Sequence, residues 1–209
     1  MKDLIRILII ENQTLVRRGI KAVLGGQADL EIAGEAASGA EGIELFRRLR
    51  PDVMVLSLHL PDSCAIDTLD DYFATDPRAR IIVLAETTGD AEISKALKKG
   101  ALGFICKDVS EIELTKAIRT VATGKRYIPN EIAQILSENF GQEELTPTET
   151  RILNAIVAGK ANKEIAYDLN VTENTVKTHV KNVFEKLGVS DRTSAATLAI
   201  KRGLVRIHL

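Results

Sequence analysis

The sequence predicts an α/β domain built on a doubly wound, five-stranded parallel sheet, followed by a small all-α domain of four helices. Three observations carry this. Over the first 124 residues, five short apolar runs alternate with segments of helical spacing, the order that gives a parallel sheet covered on both faces. Most of these runs are continuously apolar, as strands buried on both faces are. Beyond residue 145 the strand signal stops, and helix starts and stops follow one another.

The apolar runs lie at 6–10, 31–35, 53–58, 80–85 and 103–106. Between them, residues 40–49 place Ile43, Phe46 and Leu49 on one side of a helix. Residues 110–123 do the same with Ile112, Leu114, Ala117, Ile118 and Val121. Gly124 ends that helix and closes a first domain over residues 1–124. Residues 125–144 read as a linker, with Pro129, a short helix near 132–136 and the polar run SENFGQEE. Residues 145–209 form the second domain.

A chain of 209 residues, 45% hydrophobic and 27% charged, accommodates two small globular domains. No apolar run approaches the roughly 18 residues of a membrane span. The N-terminal MKDLIRILII has no small-residue cleavage site and reads as a first strand. Cys64 and Cys106, without a CxxC or a histidine cluster, predict neither a disulfide framework nor a metal site, and fit small buried hydrophobes of a cytoplasmic protein. There is no glycine-rich phosphate loop and no GxSxG, and Asp62, Asp67, Asp70 and Asp71 fall where solvated charge is the default. Neither an enzyme nor a bound cofactor is expected. Charge is uneven: residues 145–209 carry 10 Lys/Arg against 6 Asp/Glu, or +4, and the first 144 carry 18 against 23, or −5. An acidic half joined to a basic half fits a regulatory domain tethered to a nucleic-acid binder.

The second domain opens with a full helix-start signature. Thr146 can cap, Pro147 suits the first helical position, and Glu149 can close a capping box. This helix should bury Ile152, Leu153 and Ile156 and stop at Gly159. A second helix is expected over 162–169. In the turn Leu169-Asn170-Val171-Thr172, Asn170 suits a left-handed backbone and Thr172 caps a third helix. That third helix, 173–187, sets Val176, Val180, Val183, Phe184 and Leu187 on one face. A separate stripe holds Lys177, Thr178, Lys181 and Glu185. A helix anchored on one side and carrying lysines on another suits a DNA major groove.

Residues 145–192, LTPTETRILNAIVAGKANKEIAYDLNVTENTVKTHVKNVFEKLGVSDR, resemble the DNA-binding domain of the LuxR/NarL family of helix-turn-helix transcription factors. The resemblance implies base contacts from Lys177, Thr178 and Lys181. It implies phosphate-backbone positions at Thr172, Thr175, His179, Asn162 and Lys163, with His179 equally well placed to pack between helices. It also implies dimerisation through a last helix over 192–201, with Ala195, Ala196, Leu198 and Ala199 as contacts. Ala161 departs from the family, which often has a serine cap there; such a loss costs about 1 kcal/mol.

Upstream, ILIIENQTLVRRGI, PDVMVLSLHLP and KKGALGFICKD resemble a response-regulator receiver, a flavodoxin-like domain covering about residues 5–124. A receiver carries an acidic pair for Mg²⁺, an aspartate that accepts a phosphoryl group, and a hydroxyl and a lysine that bind it. Mg²⁺ favours anionic oxygen ligands, and phosphoryl transfer depends on charge neutralisation. Here the acidic pair is Glu11 and Asn12, the acceptor position is Ser57, the hydroxyl position is Ala85, and the lysine is Lys107. A serine hydroxyl is a weak nucleophile unless a base activates it. The expectation is an atypical receiver without aspartyl phosphorylation, with weak or absent Mg²⁺ binding and with Lys107 paired to Glu11. By analogy, a dimer or partner face would include Ile93, Leu97, Leu102 and Phe104, residues equally explained as core. The implied function is a sequence-specific DNA-binding transcriptional regulator, a homodimer on double-stranded DNA with an inverted repeat. Its receiver would serve dimerisation, a partner protein or a small-molecule effector. The alternative is an interaction adaptor that titrates another regulator.

Overall fold

The computed structural model describes residues 4–86, 89–138 and 143–205. The chain divides into two compact units, residues 1–88 with 93–135 and residues 89–92 with 136–209. Among the described residues no helix is long and apolar enough to cross a membrane.

The first unit holds β1 (Ile5–Ile10), α1 (Thr14–Gly25), β2 (Leu30–Ala36), α2 (Gly39–Leu49), β3 (Val53–Ser57) and α3 (Ala65–Thr75). β4 (Ile81–Ala85), α4 (Asp90–Lys98), β5 (Gly103–Cys106) and α5 (Glu111–Ala122) complete the alternation. All five strands are parallel, in the order β2-β1-β3-β4-β5. β3 and β4 are buried at every residue, which explains their unbroken apolar runs. One core layer packs Ile7, Ile9, Val53, Val55, Ile82 and Leu84 against Leu114, Ile118 and Val121 of α5. On the other face α2 approaches closely at Gly42, where a Cβ would lie 2.6 Å from Ile10 Cδ1 and 3.0 Å from the Tyr72 hydroxyl oxygen. Phe46 packs edge-on to Tyr72 there, with ring centroids 5.3 Å apart.

β3 is one residue shorter than the apolar run that announces it, because the chain turns at Leu58 to close a tight loop. Leu60 N–H donates to Ser63 O at 2.9 Å and Ala65 N–H to Leu58 O at 2.8 Å. Asp62 fastens this loop to the start of α2, accepting from Gly39 N–H at 2.8 Å and Ala40 N–H at 2.9 Å. The segment expected to be a linker begins as part of the sheet edge: Tyr127 N–H donates to Leu102 O at 2.8 Å, and its hydroxyl reaches Glu113 at 3.1 Å. α6 (Asn130–Glu138) follows.

In the second unit, α7 (Pro147–Val157), α8 (Asn162–Leu169), α9 (Glu173–Leu187) and α10 (Arg192–Lys201) form a helical cluster. Every helix start has a local cause. Thr146 Oγ1 accepts from Glu149 N–H while Glu149 accepts from Thr146 N–H at 2.8 Å, a complete capping box. Thr172 caps α9 through Thr175 N–H at 3.1 Å, and Asp191 caps α10 through Ser194 N–H at 2.9 Å. Ala161 has no side chain to cap α8, but Glu164 still accepts from its N–H at 2.6 Å. Asn170 takes φ 53° and turns α8 toward α9. Two apolar clusters meet at Phe184: one joins Leu153, Val183, Leu187, Ala195 and Ala199, the other Ile152, Ile156, Ile165 and Val176.

Glu149 does more than cap. It is 4% exposed, and its Oε2 lies 2.9 Å from Lys186 Nζ on α9. Burial pushes its carboxyl up, but the Thr146 N–H and the Lys186 ammonium outweigh that and hold it below its ordinary value. A carboxylate held low stabilises the fold fully above its unfolded pKa of about 4.3 and loses that contribution as pH falls through the folded value. Glu149→Gln should therefore cost about 1–3 kcal/mol near neutrality and flatten the loss of stability below about pH 4. Thermal unfolding followed by circular dichroism across pH 3–7 checks this, and an unchanged pH slope contradicts it.

Candidate nucleic-acid interface and receiver edge

α9 has two opposed faces. Val176, Val183 and Leu187 are buried, while Asn174, Lys177, Thr178, Lys181 and Glu185 are exposed at helical spacing. Lys177 lies 3.2 Å from Glu173, and Lys181 lies 3.6 Å from Glu185. Exposed pairs of this spacing contribute only about 0.2–0.5 kcal/mol, so both ammonium groups exchange partners at little cost. Thr178 donates back to Asn174 O at 3.1 Å, which holds its hydroxyl on the exposed side. Asn174 is part of the same strip and was missed in the sequence, although it stands three residues before Lys177 and four before Thr178.

The other predicted positions surround this helix. Thr172 and Thr175 lie at its start, with their hydroxyl oxygens 2.9 Å apart. Lys163 is exposed at the start of α8, and Asn162 Oδ1 accepts from Arg192 at 3.4 Å. Arg192 also donates to Lys160 O, tying the start of α10 to the entry of α8. His179 is half-buried, and its Nδ1 is enclosed without a hydrogen-bond partner. The ring is therefore packed on one edge, and Nε2 is the nitrogen left to meet anything outside.

The second set of predicted residues gathers at the C-terminal edge of the sheet. Glu11 is fully buried; its Oε1 accepts from Gln13 N–H at 2.8 Å. Lys107 Nζ lies 3.0 Å from Glu11 Oε2, an ion pair without the alignment of a directed hydrogen bond. The same ammonium lies 3.4 Å from Glu86 Oε1, which also accepts from Gln13 Nε2. Ser57 is 1% exposed, and its hydroxyl donates to His59 O at 3.2 Å. Ala85 is buried at the end of β4, where its carbonyl accepts from Lys107 N–H at 2.8 Å. Asn12 is half-buried in a loop that Arg17 holds through the Glu11 and Asn12 carbonyls.

Two sequence families cover most of the chain. The response regulator receiver domain matches residues 7–119, and the luxR family of bacterial regulatory proteins matches residues 143–199. The chain belongs to the LuxR/NarL family of response regulators. It is 37% identical over 204 residues to the transcriptional regulatory protein MctR of Rhizobium johnstonii, covering 96% of this chain and 95% of MctR. It is also 37% identical over 210 residues to the transcriptional regulatory protein LiaR of Bacillus subtilis, covering 97% and 100%. Among solved structures, RcsB from Salmonella enterica serovar Typhimurium bound to promoter P1flhDC shares the fold. Its TM-score is 0.75 at 24% identity, covering 94% of this chain and 98% of that one.

Within this family frame, two sets of expected contacts need correction. Ala195 and Ala199 are fully buried against α7 and α9, so they hold the helical cluster together and cannot meet a second copy. Ala196 and Leu198 are half-buried in the same clusters. The side of α10 that is open carries Thr193, Thr197 and Ile200. In the receiver, Ile93, Leu97 and Phe104 are buried and Leu102 is half-buried, so they are core, not a partner face. At the sheet edge, the fit to Mg²⁺ is poor. Glu11 is the only carboxylate among the positions a receiver uses, and the Lys107 ammonium already occupies it.

Proposed function

We propose that this regulator binds double-stranded DNA as a homodimer through α9, and that it does so without aspartyl phosphorylation of its receiver. The observation that carries the first part is the division of α9 into a buried valine–leucine face and an exposed strip of Asn174, Lys177, Thr178 and Lys181. Lysines in such a strip reach base edges or phosphates, and an asparagine pairs with adenine. Thr172, Thr175, Asn162, Lys163 and the outward edge of His179 flank the strip, where they would fix register on the phosphate backbone. RcsB, which shares the fold, forms two dimers bound to two parallel DNAs in one solved structure and is bound to promoter P1flhDC in the presence of the phosphomimetic BeF3- in another. A two-fold protein calls for a two-fold operator, so the expected site is an inverted repeat.

The second part rests on the sheet edge. Serine stands where the acceptor would be, its hydroxyl turned to a backbone carbonyl. Glu11, Lys107, Glu86 and Gln13 are linked to one another at the same edge. The Ser57 hydroxyl is engaged with the His59 carbonyl, and a serine hydroxyl without an adjacent activating base is a weak nucleophile near neutral pH. Lys107, which would otherwise need a phosphoryl anion, has its charge met internally. The proposed role of the receiver is therefore to present a surface to a second copy, a partner or a ligand.

Two outcomes test these readings. Replacing Lys177 or Lys181 by Ala should cost about 1–3 kcal/mol of DNA affinity with relaxed specificity where the lysine meets a base. Where it meets only phosphate, affinity should fall on all sequences and the salt slope should flatten. Titrations against selected and scrambled duplexes at several salt concentrations separate the cases, and unchanged affinity in both variants rejects the interface. For the receiver, intact mass after incubation with acetyl phosphate and Mg²⁺ should show no phosphoryl adduct in the wild-type chain. A stoichiometric adduct that disappears in Ser57→Ala overturns the inactive edge.

A further inference from the structure

α8 begins without a side-chain cap of its own. Ala161 stands at the capping position, and the help from within the helix is the Glu164 carboxylate, which accepts from Ala161 N–H at 2.6 Å. A helix start of this kind leaves backbone groups that need partners from elsewhere. Arg192 supplies a fastening from another helix. It is the first residue of α10, 30 positions after Asn162. Its guanidinium donates to Lys160 O with one arm and to Asn162 Oδ1, at 3.4 Å, with the other. The residues on either side of Ala161 are thus held by one side chain.

Arg192 is itself well anchored. Asp191 caps α10 through Ser194 N–H at 2.9 Å, and Ala195 and Ala199 fix the helix in the core. What it does to Asn162 follows from donor chemistry. A guanidinium has donors and no acceptor, so the end of the Asn162 amide that faces it has to be the oxygen. The NH2 is left as the free end, and it is the end from which a phosphate oxygen can accept. Lys163, the next residue, is exposed beside it. The two contacts also need an arginine. A planar fork reaches two acceptors at once, whereas a lysine ammonium is a point charge on a flexible stem. Both terminal nitrogens of Arg192 are engaged inside the domain, so its part in DNA binding is indirect.

We infer that Arg192 is a positioning residue for DNA binding. It holds the entry of α8 in place of the missing cap, and it turns the Asn162 amide so that the NH2 meets the phosphate backbone. This rests on the reading of the α8 start as a phosphate contact and adds to it a residue on α10 that touches no DNA.

The probes are a duplex recovered by the wild-type full-length chain from fragmented genomic DNA and a scrambled duplex of the same length. Arg192→Ala should weaken binding to both by the same factor, about three- to tenfold, and leave their ratio unchanged, because phosphate contacts position without reading bases. Arg192→Lys keeps the charge but loses the fork, and should behave like Arg192→Ala. Wild-type affinity in Arg192→Lys would reduce the residue to a plain charge and overturn the inference. Asn162→Ala should also weaken binding, and Arg192→Ala should cost less in that chain than it does alone; full additivity overturns the coupling. Hydrogen exchange without DNA reads the fastening directly. Amides of residues 160–166 should exchange faster in Arg192→Ala while those of α9 do not change, and Ala161→Ser in the same chain should restore protection by supplying the cap. Unchanged exchange at 160–166 overturns the inference. A wild-type chain that recovers no duplex would count against the DNA-binding reading itself, whereas affinity lost in the α9 variants but kept in Arg192→Ala would count against this inference alone.

Discussion

A lysine ammonium enclosed at the end of a parallel sheet has to have a negative partner within a few ångströms, because leaving it alone in a poorly hydrated site is costly. In this chain Glu11 supplies that partner from the end of β1, 3.0 Å from Lys107. The arrangement organises what surrounds it. Gln13 and Glu86 close over the pair, and Arg17 holds the loop that carries Asn12. Ser57 faces a backbone carbonyl. An edge suited to holding a transient anion holds a permanent one, and this is the physical ground for proposing a receiver that acts through its surfaces.

The DNA-binding unit meets a different constraint. α9 is shared between a very small core and an exposed strip, so it must be fixed from outside its own sequence. The capping box at Thr146 and Glu149 does this at one remove: Glu149 starts α7 and also pairs with Lys186 on α9. Asn170 and Thr172 set the turn and the first residue of the helix. Ala195 and Ala199 let α10 lie close against α7 and α9. Held in this way, α9 offers side chains whose existing ion pairs are weak and easily given up.

Most of the fold could be read from residues, because each element carries its own signal. The buried strands appear as unbroken apolar runs, and the helices of the second unit announce their caps. The pairing of Lys107 with Glu11 was legible for the same reason, since one charge in the motif had lost its usual neighbour. What was not legible depends on tertiary packing. Ala195 and Ala199 look like small surface residues in sequence, yet they are fully buried among Leu153, Val183 and Leu187. Ile93 and Phe104 look like a surface by analogy and are buried instead. Conversely, Leu15 and Ile112 follow the apolar pattern of their helices but stand almost fully in solvent. Periodicity assigns a side chain to a face but not to the neighbour that covers it. Asn174 was missed because a neutral residue before a lysine stripe attracts no notice until the exposed strip is seen whole.

The most direct measurement is a selection of fragmented genomic DNA by the purified full-length chain, with and without prior treatment by a phosphoryl donor. The account predicts that the untreated protein enriches an inverted repeat and that treatment changes neither the sequence retained nor the amount. Enrichment that appears only after treatment would contradict it, since the receiver would then depend on the chemistry that Ser57, Asn12 and the Glu11–Lys107 pair are proposed to have replaced.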